Sequence, residues 1–323
     1  MKTEQLASQL IQGNTRALAK GITLIEGSTQ EQQNQASKLL ELIIPHSGKS
    51  RRIGITGIPG VGKSTFIDAF GQRLIDKGQK VAVLAVDPSS ALDKGSILGD
   101  KTRMENLARS PRAFIRPSPS QGNEGGVARK TRETLLLCEA AGFKNIIVET
   151  VGVGQSEAMV HSMVDLFLLL QIPGAGDDLQ GIKRGILELV DFVAITKADG
   201  QNINNAKLSL HQLKQAFTLV RGSAQTPPIH LISSLNQSGF DDLEQDLSNF
   251  WEKRRQEISE KRLHQQFSWF DQELLELFKQ KLSRDERMKT IIDNCYQNIK
   301  HFQSLPTIQA ASAVREIFTF SRF

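Results

Sequence analysis

The sequence predicts an α/β protein: a mostly parallel sheet flanked by helices, with helical extensions at its N-terminal and C-terminal ends. Three observations carry this. Between residues 52 and 234, short β-rich runs alternate with helical stretches. Several of those runs are nearly continuous Val, Ile, Leu or Phe, as in strands buried on both faces of a parallel sheet. The segments on either side carry helical spacing instead. Such alternation lays helices on a sheet through right-handed crossovers.

In order along the 323 residues, the expected parts are an N-terminal helical extension over 1–50, an α/β domain over 51–240 and a C-terminal helical region over 241–323. The first part is polar and Gln-rich. Leu6, Leu10, Leu18 and Ile22, then Leu39, Leu40 and Ile43, fall at helical spacing, and two helices are expected, punctuated by Gly13-Asn14 and Gly27-Ser28. Strands are expected at residues 53–56, 80–86, 113–116, 145–149, 165–171, 192–196 and 228–232. Residues 251–282 are highly charged, and Phe267, Phe270, Leu274 and Leu277 form a narrow apolar seam. That seam fits either packing on the chain's own domain or a dimer-forming arm.

Composition narrows the function classes. Forty Lys and Arg against 35 Asp and Glu leave a net charge of +5, too small over this length to mark a nucleic-acid or membrane-surface protein. Two cysteines, Cys138 and Cys295, exclude a disulfide framework and a Cys-rich zinc module, and fit a reducing compartment. The N-terminus lacks the apolar core of a secretory signal. The longest apolar run, residues 164–172, is broken by Asp165 and Gln171 and falls short of the ~20 residues a membrane helix needs. A cytoplasmic protein with no membrane or nucleic-acid partner is expected.

The strongest motif is Gly57-Ile58-Pro59-Gly60-Val61-Gly62-Lys63-Ser64-Thr65, a complete G-x-x-x-x-G-K-[ST] phosphate loop. A chance glycine-rich turn would not also sit between a predicted strand and a helix over residues 63–75. The glycines let backbone amides curl around phosphate oxygens, and the helix N-terminus adds partial positive charge. Lys63 brings a full charge to the β- and γ-phosphates, and the Ser64 hydroxyl can ligate Mg²⁺. A purine nucleoside triphosphate is the expected ligand.

Thr196-Lys197-Ala198-Asp199 selects the base. A loop of the form [NT]-K-x-D reads guanine because the Asp carboxylate accepts from the ring N1–H and the exocyclic amine. Adenine offers neither donor, so it would leave Asp199 unpaired. Lys197 can lay its alkyl stem along the base. The usual first residue is Asn, and Thr196 departs from it. Ser233-Ser234-Leu235 is a candidate second guanine loop, weak alone. Glu149-Thr150-Val151-Gly152 closes a strand at the position of the GTPase D-x-x-G element, with Glu for Asp; its carboxylate can hold Mg²⁺ and the Gly152 amide can sense the γ-phosphate. Asp87, after the second strand, and Asp100 lie in turn-rich segments from which either can reach a metal or position water.

Together these segments resemble the MeaB/ArgK-type G proteins of the SIMIBI class of P-loop GTPases. The matching text is GIPGVGKST, VDPSS, GSILGDKTRM, FIRPSPSQG with GG following, LLLCEAAGF, ETVGVGQSE, LQIPGAGDDLQGIKRGILE and KAD, spread from about residue 18 to 282. The resemblance implies a P-loop GTPase domain, binding of GTP and GDP, and Mg²⁺ held by Ser64, Asp87, Asp100 and Glu149. It implies a homodimer that attends an adenosylcobalamin-dependent acyl-CoA mutase, typically methylmalonyl-CoA mutase, by gating cofactor loading and protecting the mutase. It also implies that residues 171–183 form an additional switch loop. Thr196 and Glu124 depart from the family pattern.

Val153 stands where a water-orienting glutamine would directly follow Gly152, so slow hydrolysis alone and acceleration by a partner are expected. Two other readings compete. One is a kinase of a transport-system binding protein. The other is a metal-delivery GTPase, which would need a soft-ligand cluster. His46, His161, His211, His230, His264 and His301 are scattered, and the two cysteines stand far apart.

Overall fold

The computed structural model describes residues 2–86, 104–116, 124–150, 156–174, 184–300 and 305–320. The chain divides into two compact units, Met1–Arg262 and Leu263–Phe323.

In the first unit the strands are β1 (Arg51–Thr56), β2 (Val81–Val86), β3 (Ala113–Arg116), β4 (Asn145–Thr150), β5 (Leu166–Gln171), β6 (Phe192–Ile195) and β7 (Ile229–Leu231). They form one sheet in the order β3-β2-β4-β1-β5-β6-β7, and every neighbouring pair is parallel. All seven expected strands are present, with ends within two residues of expectation. β2, β4 and β5 are buried at every position, as their unbroken apolar runs demand.

Three helices precede the sheet: α1 (Thr3–Ile11), α2 (Thr15–Ile25) and α3 (Gln30–Ile43). Two were expected; each punctuation point both ends a helix and starts the next. Asn14 Oδ1 accepts from the Arg16 and Ala17 amides at 2.9 and 3.1 Å, and Thr29 with Gln32 closes a capping box at the head of α3. The remaining helices of this unit are α4 (Lys63–Asp76), α5 (Glu105–Arg109), α6 (Glu124–Ala140), α7 (Ser156–His161), α8 (Arg184–Leu189), α9 (Ile203–Arg221) and α10 (Phe240–Lys253). The N-terminal helices pack on α6: a Cβ at Gly21 would lie 3.3 Å from both Leu137 and Leu39. α4 covers β1 through Phe66 and Phe70, and Phe66 stacks on Phe240 at 5.5 Å.

At the N-terminal edge of the sheet, charged groups are enclosed in pairs. Arg52 donates to both carboxylate oxygens of Glu139 at 2.8 and 3.0 Å, and both residues are buried. Asp165 receives Arg262 Nε and NH2 at 2.7 Å each and the Arg52 amide at 2.9 Å. Arg262 also reaches the Gly48 and Ser50 carbonyls. It stands near the start of α11 (Arg255–Arg284), so this network fixes the root of that helix to the sheet.

The second unit holds the rest of α11, then α12 (Glu286–Lys300) and α13 (Pro306–Phe320). Cys295 Sγ donates to the Gln309 carbonyl at 3.6 Å, joining the last two helices. Phe267, Phe270, Leu274 and Leu277 of the predicted seam are exposed. Among the described residues no helix is long and apolar enough to cross a membrane.

Candidate nucleotide site

In a parallel sheet with helical crossovers, ligands bind beyond the carboxyl ends of the strands. Those of the sequence-selected groups that fall among the described residues gather there. The 57–62 loop leaves β1 and enters α4. Gly57 is required: a Cβ would lie 2.7 Å from the Leu170 carbonyl oxygen. Gly62 caps α4 at φ +93°, a left-handed conformation that side chains resist. Lys63 follows as the first residue of α4, and its Nζ donates back to the Gly57 carbonyl at 2.7 Å. Burial pushes the Lys63 pKa below its ordinary value, while Glu149 and then Glu157 pull it upward.

The segment from Thr196 to Asp199 is tied directly to this loop. Thr196 Oγ1 lies 2.7 Å from the Val61 carbonyl and 3.0 Å from that of Gln171, so one hydroxyl proton joins the β6 end to the phosphate loop or to β5. The Thr196 amide also donates to Gln171 O at 2.7 Å. The departure from Asn therefore keeps a hydrogen-bonding side chain at the junction. Lys197 adopts φ +53°, a strained conformation for a residue with a side chain, and its Nζ donates to the Gly60 carbonyl at 2.9 Å. Its stem consequently spans from the 196–199 loop to the 57–62 loop.

Asp199 is half-buried beside the β7 end. The Ser233 hydroxyl donates to its Oδ2, and the Asn236 amide donates to Ser233 Oγ at 3.1 Å. Ser233 and Ser238 exchange backbone hydrogen bonds at 3.1 and 3.2 Å, which closes the second loop. Between these loops lies a cavity of about 350 Å³. Val61, Gly62 and Thr65 line it from the phosphate side, Thr196, Lys197, Asp199 and Asn202 from one base loop, and Ser234 and Leu235 from the other. A cavity of this size, with few polar groups and apolar walls, suits a flat heteroaromatic ring.

Glu149 stands buried at the β4 end, in register with Ile55 of β1 and Ala85 of β2. Thr150 beside it bonds Thr56 hydroxyl to hydroxyl at 3.0 Å. Ser64 Oγ and the Glu149 carboxylate are hard oxygen donors, the kind Mg²⁺ prefers, and Mg²⁺ needs only one or two protein ligands beside phosphate oxygens and water. The donor chemistry fits that ion. Among the described residues there is no group of three or more acidic, His or Cys side chains able to hold a metal. Asp87, Asp100, Gly152 and Val153 lie outside the described residues, as do residues 175–183 of the expected switch loop. Leu235 sits at the rim, highly exposed.

Sequence reasoning missed two groups. Asn202 lines the cavity from the turn after Asp199. Glu157, buried in the first turn of α7, acts on Lys63. Its only sequence signal was its place inside the ETVGVGQSE text.

The sequence model of the family described as methylmalonyl Co-A mutase-associated GTPase MeaB matches residues 18–287. A probable GTPase of Mycobacterium tuberculosis is 48% identical over 275 residues, 82% of this chain and 80% of that protein. The mitochondrial methylmalonic aciduria type A homolog of Mus musculus is 40% identical over 320 residues, 95% of this chain and 72% of that protein. A solved structure, described as LAO/AO transport system kinase, superposes with a TM-score of 0.77 at 34% identity, covering 98% of this chain and 97% of its own.

Proposed function

Because the chain belongs to the methylmalonyl Co-A mutase-associated GTPase family, and is thus a GTPase that binds guanine nucleotide, we propose that it is a GTP-driven chaperone of an adenosylcobalamin-dependent acyl-CoA mutase. In this reading it gates cofactor loading and protects the mutase, methylmalonyl-CoA mutase being the favoured partner. The relative named for methylmalonic aciduria supports that choice. The exposed seam of Phe267, Phe270, Leu274 and Leu277 supports a homodimer, and the two unpaired cysteines support a cytoplasmic setting.

The observation that carries the nucleotide part is the joining of Asp199 to the phosphate loop through Thr196 and Lys197. Asp199 accepts from the guanine edge, with Ser233 holding the carboxylate in place. Lys197 backs the base. Lys63 exchanges the Gly57 carbonyl for phosphate oxygens, which favour its charged form. Gly57, Ile58, Pro59, Gly60, Val61 and Gly62 wrap the phosphates with backbone amides, and Ser64 and Thr65 continue that cradle into α4. Ser64 and Glu149, with Asp87 and Asp100, are the residues proposed to hold Mg²⁺, which would neutralise phosphate charge when bound. Hydrolysis is proposed to be slow until a partner completes the water-orienting machinery.

Calorimetry tests the base assignment: the wild type should favour GTP over ATP by about a hundredfold or more, and Asp199→Asn should abolish that preference. Equal binding of both nucleotides by the wild type would sink it. The partner is tested by capture from native lysate with GDP or a non-hydrolysable GTP analogue, reading for a B12-containing mutase. One observation favours a second reading, the likeness to a structure described as a transport system kinase. Labelled γ-phosphate separates the two, since transfer to a protein supports the kinase and release as free phosphate supports the GTPase.

A further inference from the structure

A second cavity, of about 310 Å³, lies at the opposite edge of the sheet from the nucleotide site. Its walls are the start of β1, the end of α4 and the inner face of α10. Ile53, Phe70, Leu74 and Leu247 give it apolar surface, and Arg51 and Trp251 bring donors. The Arg51 guanidinium stacks over the Trp251 ring, with Cζ 5.0 Å from the ring centroid. No ion pair or side-chain hydrogen bond engages that guanidinium among the described residues; Glu252 acts on it only through space. The Trp251 indole N–H is buried with no acceptor. The indole N–H is thus a buried donor without its usual acceptor, and the half-buried guanidinium stacked on that ring keeps its own N–H edge for an acceptor that arrives from outside.

The acids nearby do not meet that need. Asp241 and Glu244 line the same cavity, but Arg73 bonds both and Lys77 bonds Glu244. The Asn145 amide group donates to Gln79 Oε1 at 2.6 Å. Arg51 is left as the cation of this cavity without an ion pair among the described residues, Glu252 acting on it only through space. A guanidinium stacked on an aromatic face keeps its N–H edge available for a planar, two-oxygen acceptor.

We propose that this cavity binds a small carboxylate with an apolar body. Its two oxygens meet the N–H edge of the Arg51 guanidinium, and its hydrocarbon lies against Ile53, Phe70, Leu74 and Leu247. The site is separate from the nucleotide site. Leu74 and Lys77 close α4 at the end away from Lys63, and fourteen helical residues span roughly 20 Å. Its occupant therefore belongs to neither the nucleotide nor its metal.

The chain has two tryptophans, so Trp269→Phe leaves Trp251 as the sole reporter. In that protein, hexanoate should produce a saturable change in tryptophan fluorescence, 1-hexanol should produce none, and inorganic phosphate should bind far more weakly. Arg51→Gln should weaken hexanoate by about tenfold or more while GTP affinity, read by calorimetry, stays unchanged. Should that variant fail to fold, Ser248→Phe, which fills the cavity from α10, should abolish the response. A flat titration in the folded single-tryptophan protein overturns the proposal. So does a response shared equally by phosphate, or hexanoate affinity that survives the variants.

Discussion

The two edges of the sheet use the same kinds of charged side chain in opposite ways. At the carboxyl edge, Lys63 and Lys197 rest their ammonium groups on neutral backbone carbonyls, those of Gly57 and Gly60. At the amino edge, Arg52 and Arg262 are locked into the carboxylates of Glu139 and Asp165. A cation resting on a carbonyl can be taken over by a phosphate, because it exchanges a neutral acceptor for a charged one. A cation enclosed with a carboxylate cannot, since leaving would strand a buried charge. The difference separates the edge that exchanges ligands from the edge that holds the fold.

The largest effect should come from breaking the holding edge. Asp165→Ala removes the carboxylate that pairs with Arg262 and accepts the Arg52 amide, leaving Arg262 the Gly48 and Ser50 carbonyls and the more distant charge of Glu139. Breaking one side of such a pair costs about 3–5 kcal/mol. Urea unfolding should show that loss, while GTP affinity measured on the folded variant should change less than about threefold, the scatter of an untouched site. A large loss of GTP affinity at little cost in stability would show that the two edges are not separate.

Thr196→Val tests the exchanging edge with a smaller effect. The two side chains have nearly the same shape, so the change removes one hydroxyl. Gln171 O keeps the Thr196 amide, but Val61 O loses its side-chain donor. A lost hydrogen bond of this kind costs about 1–2 kcal/mol. Most of it should appear as a several-fold rise in the GTP dissociation constant, because the bond joins two loops that line the proposed nucleotide cavity. Thr196→Asn should restore affinity. If Val binds GTP as the wild type does, the hydroxyl link contributes nothing to the site.

How much of this was legible follows the same division. The strands were readable because burial on both faces forces unbroken apolar runs, as in β2 and β5. The phosphate loop was readable because close approach and left-handed backbone admit glycine alone at Gly57 and Gly62. Asp199 was readable through its short loop. The holding edge was not. Asp165 and Arg262 are 97 residues apart, and in the sequence Asp165 was merely an interruption in an apolar run. Partners joined only by folding leave no local spacing to find. Glu157 was hidden likewise. The two Gly-containing breaks divide the N-terminal region into three helices, one more than expected, because Asn14 and Thr29 each cap a new helix just beyond its glycine.

Short helix α7 belongs to both edges, and it gives the smallest and sharpest test. Its first turn carries Glu157, which acts on Lys63, and its last residue is His161, which meets Phe167 edge-on at 5.8 Å. Burial pushes the His161 pKa down to about 4, and the charges of Lys261 and Arg221 push the same way. Lys261 itself donates to the Asp165 carbonyl, so the holding edge reaches the end of this helix. The unfolded chain protonates His161 near pH 6.5, well above the folded state. Between about pH 6.5 and 4 the unfolded state therefore binds more protons, and stability falls as the pH falls. Solvent at the half-buried ring reduces the loss to about 1 kcal/mol. His161→Gln should flatten that part of the pH profile relative to the wild type in urea unfolding at pH 4.5 and 7.5. Identical slopes for the two proteins would place the imidazole outside the field of Lys261 and Arg221, and would cut the link that α7 makes between the two edges.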